Sequence, residues 1–129
     1  MARLKAPYFT AYFRAAPRVP VRFGVVTAHN PMGRKSSPAA NRRRDDALRR
    51  RLKALKIFSF RVTGGNQDGS HQEPGWGIAS LREIVRALAA EFEQNAFYWI
   101  SAGRIYLGSA AGGPLRRAGS WNARRARWD

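Results

Sequence analysis

Positive charge is confined to the two ends of this 129-residue chain, and that confinement limits where a core can be built. Residues 1–56 hold 15 basic and 2 acidic side chains, and residues 110–129 hold five arginines against one aspartate. The intervening residues 57–109 are nearly neutral, with 4 basic and 5 acidic groups. A chain this short supports one core rather than two. At 44 % hydrophobic and 12 % aromatic residues it has the composition of a folding domain. There is no cysteine, which excludes disulfides, thiolate metal sites and cysteine nucleophiles. No run approaches the roughly 20 apolar residues of a membrane span, and the N-terminus lacks the apolar stretch of a signal peptide. The expected location is the cytoplasm.

Pattern within each segment sets the expected elements. Tyr8, Phe9, Tyr12 and Phe13 recur at helical spacing, so residues 7–16 are expected as a helix ended by Pro17 and Pro20. Val21–Thr27 is a β-branched run and the expected central strand. Leu48, Leu52 and Leu55 share one face of an expected helix over 41–56, N-capped by Asn41 with Asp45 and Asp46 near its positive end. Residues 57–62 alternate as a strand, 63–69 form a glycine-rich turn, and 70–79 return as a third strand through Pro74. Ser80 and Glu83 have capping-box spacing at the head of a helix reaching Asn95, with Ile84, Val85, Leu88 and Phe92 inward. Residues 97–100 and 104–107 flank Ala102-Gly103 as a hairpin.

The resulting order, α-β-α-β-β-α-β-β, predicts an α/β (α+β) fold. It is a single two-layer sandwich of about five strands, mixed or antiparallel, with helices on one face. Its internal β-α-β-β-α-β stretch has the ferredoxin-like order, and a terminal hairpin strand is added to it. Residues 1–109 are the expected domain, and residues 110–129 an appended basic Arg/Trp tail, disordered when free.

Candidate chemistry lies in T-G-G-N-Q-D-G-S-H-Q-E, residues 63–73. On a strand, His71 and Glu73 share a face, and an imidazole beside a carboxylate is the arrangement of a general base and its orienting partner. With Asp68 nearby, these are the candidate catalytic residues. As ordinary structure, the same glycines and Asp68 are turn-formers. One His and one Glu supply only two ligands, so neither a metal nor a cofactor is expected. His29 and Asn30 leave the end of the central strand, where α/β sheets place their ligands. Phosphate-loop, dinucleotide and nucleophile-elbow motifs are all missing from the sequence.

The basic segments carry the stronger signal. Arginine outnumbers lysine 20 to 4, and its planar fork pairs with phosphate and stacks on bases. Arg42, Arg43, Arg49, Arg50 and Lys53 cover the expected helix, and Arg34 and Lys35 precede it. In the tail, Trp121 and Trp128 interleave with Arg124, Arg125 and Arg127, a pattern suited to base stacking with phosphate pairing.

Several of these segments together resemble a family of short bacterial proteins defined as a domain of unknown function (number 3293). The resemblance covers about residues 8–107. It rests on A-Y-F-R-A-A, then V-V-T-A-H-N-P with Gly33, Asn41 leading into a helix, T-G-G-N-Q-D-G-S-H-Q-E, Q-N-A-F-Y-W-I and G-R-I-Y-L. The resemblance carries no established activity. It implies that Asn30, Asn41, Asp68, Ser70, His71, Glu73, Gln94 and Asn95 match the family's polar positions. Of these, Asn30, Asn41, Ser70, His71, Gln94 and Asn95 are the candidate ligand site. The first helix and the loop before it are far more basic than the family pattern, and the tail lies outside it.

The expected function is a small accessory protein that contacts RNA or DNA backbone phosphates as a subunit of a larger nucleoprotein complex, without a membrane partner. One alternative is a hydrolase or nuclease using His71 and Glu73. The other is an interaction module for an acidic protein partner.

Overall fold

The β-branched run after Pro20 forms β2 (Arg22–Val26), a strand buried on both sides. Strand alternation sends Phe23 and Val25 to one face and Gly24 and Val26 to the other. A computed structural model describes residues 4–128. In it, β1 (Tyr12–Arg14), β3 (Ser59–Gly65), β4 (Gln72–Ile78), β5 (Ala96–Ser101), β6 (Arg104–Ser109) and β7 (Arg116–Ser120) join β2 in one antiparallel sheet. The order is β1-β3-β4-β2-β5-β6-β7, with β2 in the middle. The sheet curls into a half-barrel, helped by a register shift between Ile105 and Tyr106 where β6 meets β7.

This corrects the five-stranded ferredoxin-like sandwich expected from the sequence. Two differences account for it. Residues 7–16 are not a helix: Ala6–Thr10 is a 3-10 turn, and β1 follows, pairing Phe13 with Gly64. The aromatic stripe instead places Phe13 in the core, with Tyr8 and Phe9 packed against it. The second difference is the C-terminal segment. Arg116–Ser120 pairs with β6 and Trp121 is 4 % exposed, so residues 116–121 are part of the sheet and core rather than an appendage. Met1–Arg3 and Asp129, the outer ends of the two expected ranges, lie outside the described residues.

Two cores result, one on each face. Inside the curl, Phe13, Phe23, Val25, Val62, Ile100, Ile105, Leu107 and Trp121 pack together. Trp121 stacks on Phe13 at 5.5 Å and meets Phe23 edge-on at 5.3 Å. Such aromatic pairs contribute about 0.5–1.5 kcal/mol each beyond their burial. On the outer face, α1 (Pro38–Ala54) buries Leu48 and Leu52, and α2 (Arg82–Glu91) buries Val85, Leu88 and Ala89. A side chain at Gly24 would overlap Val85, so α2 rests directly on the backbone of β2.

Both helices begin differently from the sequence expectation. Ser37, not Asn41, caps α1 by accepting from Ala40 N, and Pro38 occupies the first turn, where a missing N–H costs nothing. Asn41 is instead buried within that turn. Ser80 and Glu83 form no capping box; Leu81 holds the cap position of α2 without a side-chain bond, and Ile84 faces solvent. The β5–β6 hairpin turns at Ala102 (φ 49°) and Gly103 (φ 77°), the left-handed pair a two-residue turn requires. No helix among the described residues is long and apolar enough to cross a membrane.

Candidate functional site

The inward curl of the sheet leaves a cavity of about 730 Å³ on the face opposite the helices. Strand alternation builds its floor: Val25 from β2, Val62 and Gly64 from β3, Gly75 from β4, Ala96 and Tyr98 from β5. Phe13 and Tyr8 close one side. The polar wall comes from the loop between β2 and α1, from the start of α1, and from the segment between α2 and β5.

That wall is held by amide hydrogen bonds. Asn30 N donates to Asn41 Oδ1 at 2.9 Å, while Asn30 Oδ1 accepts from Asn41 Nδ2 and Ser36 N. Thr27 Oγ1 donates to Pro74 O and accepts from His29 N. Gln94 Nε2 donates to the carbonyls of His29 and Phe92, at 3.1 and 3.2 Å. With both amide hydrogens engaged, Gln94 keeps its Oε1 as an acceptor without a partner among the described residues. The loop is strained: Asn30, Met32 and Gly33 all have positive φ, and Met32 N is tied to Glu93 O. Non-glycine residues in this region cost about 1–3 kcal/mol and tend to mark functional segments.

Glu73 and His71 line the opposite edge. His71 Nε2 lies 3.1 Å from Glu73 Oε2, with the Glu73 side chain 29 % exposed. Among the described residues, no group of three or more His, Asp or Glu side chains comes together. Tyr98 donates its hydroxyl to Tyr8 O at 2.7 Å, and burial, aided by nearby Tyr8 and Glu73, pushes its pKa well above the ordinary 10.0. His29 does not line the cavity. Burial holds its pKa below the ordinary 6.5, against the raising effect of Glu73 and Asp45.

The cavity therefore gathers Asn30, Asn41, His71, Glu73 and Gln94 of the polar positions singled out in the sequence. It leaves out Asp68, Ser70 and Asn95. Asp68 accepts from Ser70 N and Ser70 Oγ accepts from Asn66 Nδ2, both within the β3–β4 turn. The hydrogen bond from the Ser70 backbone holds the Asp68 carboxyl below its usual range. Asn95 accepts from Ala110 N through its carbonyl. Sequence reasoning missed Thr27, Tyr98 and Lys5. Tyr98 had a usable signal, since it sits two residues from Ala96 on an alternating strand.

The basic residues divide into two groups. On α1, Arg42, Arg43 and Lys53 are exposed and make no ion pair or side-chain hydrogen bond among the described residues. Arg49 and Arg50 share Asp46, whose carboxyl is held below its usual range by the hydrogen bond from Arg49. Arg34 and Lys35 are exposed in the preceding loop, and Lys35 borders the cavity. In the C-terminal group Trp121, Arg124, Arg125 and Trp128 are engaged internally, which corrects the base-stacking and phosphate-pairing role expected of these four. Trp121 is in the core, where no base can stack on it. Arg124 donates to the carbonyls of Phe9 and Ala11, and Arg125 to those of Ala15 and Ala16. Trp128 donates to Asn66 O and Gln67 O and lies against Gly65 and Gly69. Only Arg127 of that set is exposed.

No curated protein and no solved structure matches the chain. The family described as "Protein of unknown function (DUF3293)" matches residues 26–97, a stretch that carries Asn30, Asn41, His71, Glu73 and Gln94. With more than half its length matched, the chain belongs to the DUF3293 family.

Proposed function

We propose that this protein binds RNA or DNA through backbone phosphates, as a cytoplasmic accessory subunit of a nucleoprotein complex. The contact surface is the loop-to-helix segment that carries Arg34, Lys35, Arg42, Arg43, Arg49, Arg50 and Lys53. The observation that supports this reading is where the acids go. Asp45, Asp46, Glu83, Glu91 and Glu93 each face an arginine of the same fold. The surplus behind the net charge of +16 therefore has no internal counterion and is left for an external polyanion. Arg42, Arg43 and Lys53 belong to that surplus on one exposed helix surface.

The test is fluorescence anisotropy of labelled single-stranded RNA and duplex DNA across a salt series, with the full chain. The expected result is sub-micromolar binding at physiological salt, with a logarithmic slope of about −0.7 to −0.9 per phosphate contacted. Binding that disappears by physiological salt, with capture of an acidic protein in its place, overturns the reading in favour of an interaction module. A hydrolytic reading is favoured by one observation, the 3.1 Å contact that orients the His71 imidazole against Glu73 at the cavity edge. If that reading holds, His71→Ala abolishes cleavage of bound nucleic acid while leaving its retention intact.

A further inference from the structure

We propose that the half-barrel cavity binds a single nucleotide unit, with its base over the apolar floor and its phosphate toward Lys5 and Lys35 at the mouth. The inference rests on the nucleic-acid reading above and names what that surface delivers to the interior. Four features carry it. The volume of about 730 Å³ is in the range of small-ligand sites and accommodates a mononucleotide. The lining offers a flat ring apolar contact: Tyr8, Ala11, Ala96 and Tyr98 border the cavity and are only partly buried.

The acceptors are the third feature. Glu73 engages one carboxylate oxygen with His71 and has the other without a partner among the described residues, and Gln94 Oε1 is fixed as an acceptor because its amide hydrogens are already donated. Acceptors on two edges of the cavity suit the N–H donors of a base, and guanine, the base richest in N–H donors, suits them best. The fourth feature is continuity. Lys35, Ser36, Pro38 and Asn41 line the cavity, while Arg34, Arg42 and Arg43 in the same stretch of chain carry the exposed charge. A phosphate chain lying on that surface can therefore present one nucleotide to the cavity. The positive end of α1, whose first turn forms part of the wall, favours the same phosphate.

The test is calorimetric titration of the full chain with guanosine monophosphate, beside anisotropy of labelled RNA. The expected result is saturable, one-to-one nucleotide binding. Glu73→Gln removes a charged acceptor and weakens it about tenfold. Ala96→Leu fills the floor and weakens it at least as much, and circular dichroism confirms that both variants fold. Arg42→Glu with Arg43→Glu abolishes retention of RNA and leaves the nucleotide affinity within about twofold, because neither side chain lines the cavity. The source is separated by competition. Displacement of RNA by the nucleotide means that a residue of the chain enters the cavity, and independent binding of both means that a free nucleotide does. No saturable nucleotide binding, or equal affinity in wild type, Glu73→Gln and Ala96→Leu, overturns the inference. If RNA is still retained in that case, the surface reading stands alone; if RNA is also lost, both fail.

Discussion

The arginines of α1 and the arginines that follow β7 are indistinguishable as composition, and the fold uses them in opposite ways. Arg42 and Arg43 sit on the outer surface of a helix whose carbonyls are already bonded within the helix, so their guanidinium groups have nothing local to bind. Arg124 and Arg125 pass beside the residues that flank β1, where the carbonyls of Phe9, Ala11, Ala15 and Ala16 lie outside the strand. A guanidinium has five donors and no acceptor, so it can satisfy two such carbonyls at once. Arg124 does so with Phe9 O and Ala11 O, and Arg125 with Ala15 O and Ala16 O. Ala126 N adds a 2.7 Å bond to Phe13 O, and the C-terminal segment thereby covers the free edge of β1. An exposed edge invites pairing with other chains. The lesson is that clustered arginine predicts an anion site only where the neighbouring backbone is already satisfied.

The comparison breaks most decisively by truncation. A chain ending at Ser109 loses β7 and Trp121, exposes β6 as a new edge and uncovers Phe13 and Phe23. The expected outcome is loss of cooperative unfolding altogether, read by urea titration followed by tryptophan fluorescence and circular dichroism. A cooperative transition with native-like stability in the truncated chain would restore the view of the C-terminus as an appendage. Next in size is Trp121→Ala, expected to cost about 3–5 kcal/mol in the same titration. Trp121→Phe is expected to cost much less, since it keeps the ring contacts and removes a buried indole N–H that has no acceptor among the described residues.

Arg124→Met keeps the length of the side chain and removes its donors from two partly buried carbonyls. The expected loss is about 1.5–3 kcal/mol, the range for hydrogen bonds that involve a charged group. A change below about 0.5 kcal/mol, typical of a solvated surface residue, would place Arg124 with the helix arginines instead.

What the sequence displayed and what it hid follow from the same contrast. Residues 22–26, the leucines of α1 and the Ala102-Gly103 hairpin were legible because each writes its own period or turn chemistry into neighbouring residues. β7 was not, because Arg116–Ser120 has a single buried residue, Ala118, and no apolar alternation. Its place in the sheet is decided by Trp121 docking against residues about a hundred positions earlier, which no local window contains. The aromatic run at 8–13 misled for a related reason. Its spacing fits a helix, but Phe13 has a seat opposite Gly64 that only the sheet provides. At the cavity, Asn30, Asn41, Glu73 and Gln94 stood out as polar positions that match the family pattern. That the first two bond each other, and that Gln94 is left with a single open acceptor, is a property of three-dimensional packing alone.

Acid titration separates the two groups by chemistry. Carboxylates titrate and carbonyls do not, so only the helix arginines have partners that acid removes. The Asp46 carboxyl is held below its ordinary 3.8 by Arg49, so the folded state binds its proton less readily than the unfolded chain. That contribution is fully present above pH 3.8 and is lost as the pH falls through the lower folded value. Melting temperatures measured from pH 6 down to pH 2.5 should show a smaller acid decline in Asp46→Asn than in wild type. The cost of Arg124→Met should be the same at both ends of that range. A cost that shrinks in acid would mean that Arg124 acts through a carboxylate and not through Phe9 O and Ala11 O.

Arg42→Ala with Arg43→Ala is the smallest change to the folded state and the sharpest statement of the comparison. Neither side chain has a partner to lose among the described residues, so the stability change is expected within about 0.5 kcal/mol. Arg44, the next residue along, is the internal control. It donates to Ala28 O, Phe92 O and Glu93, so Arg44→Ala is expected to be destabilising. The two exposed arginines should instead register in binding. Each phosphate contact removed lowers the steepness of the logarithmic salt dependence by about 0.7–0.9, or about 1.4–1.8 for the pair. An unchanged salt slope, at unchanged stability, would show that these charges make no phosphate contact. The surplus on this helix would then have a protein partner as its remaining explanation.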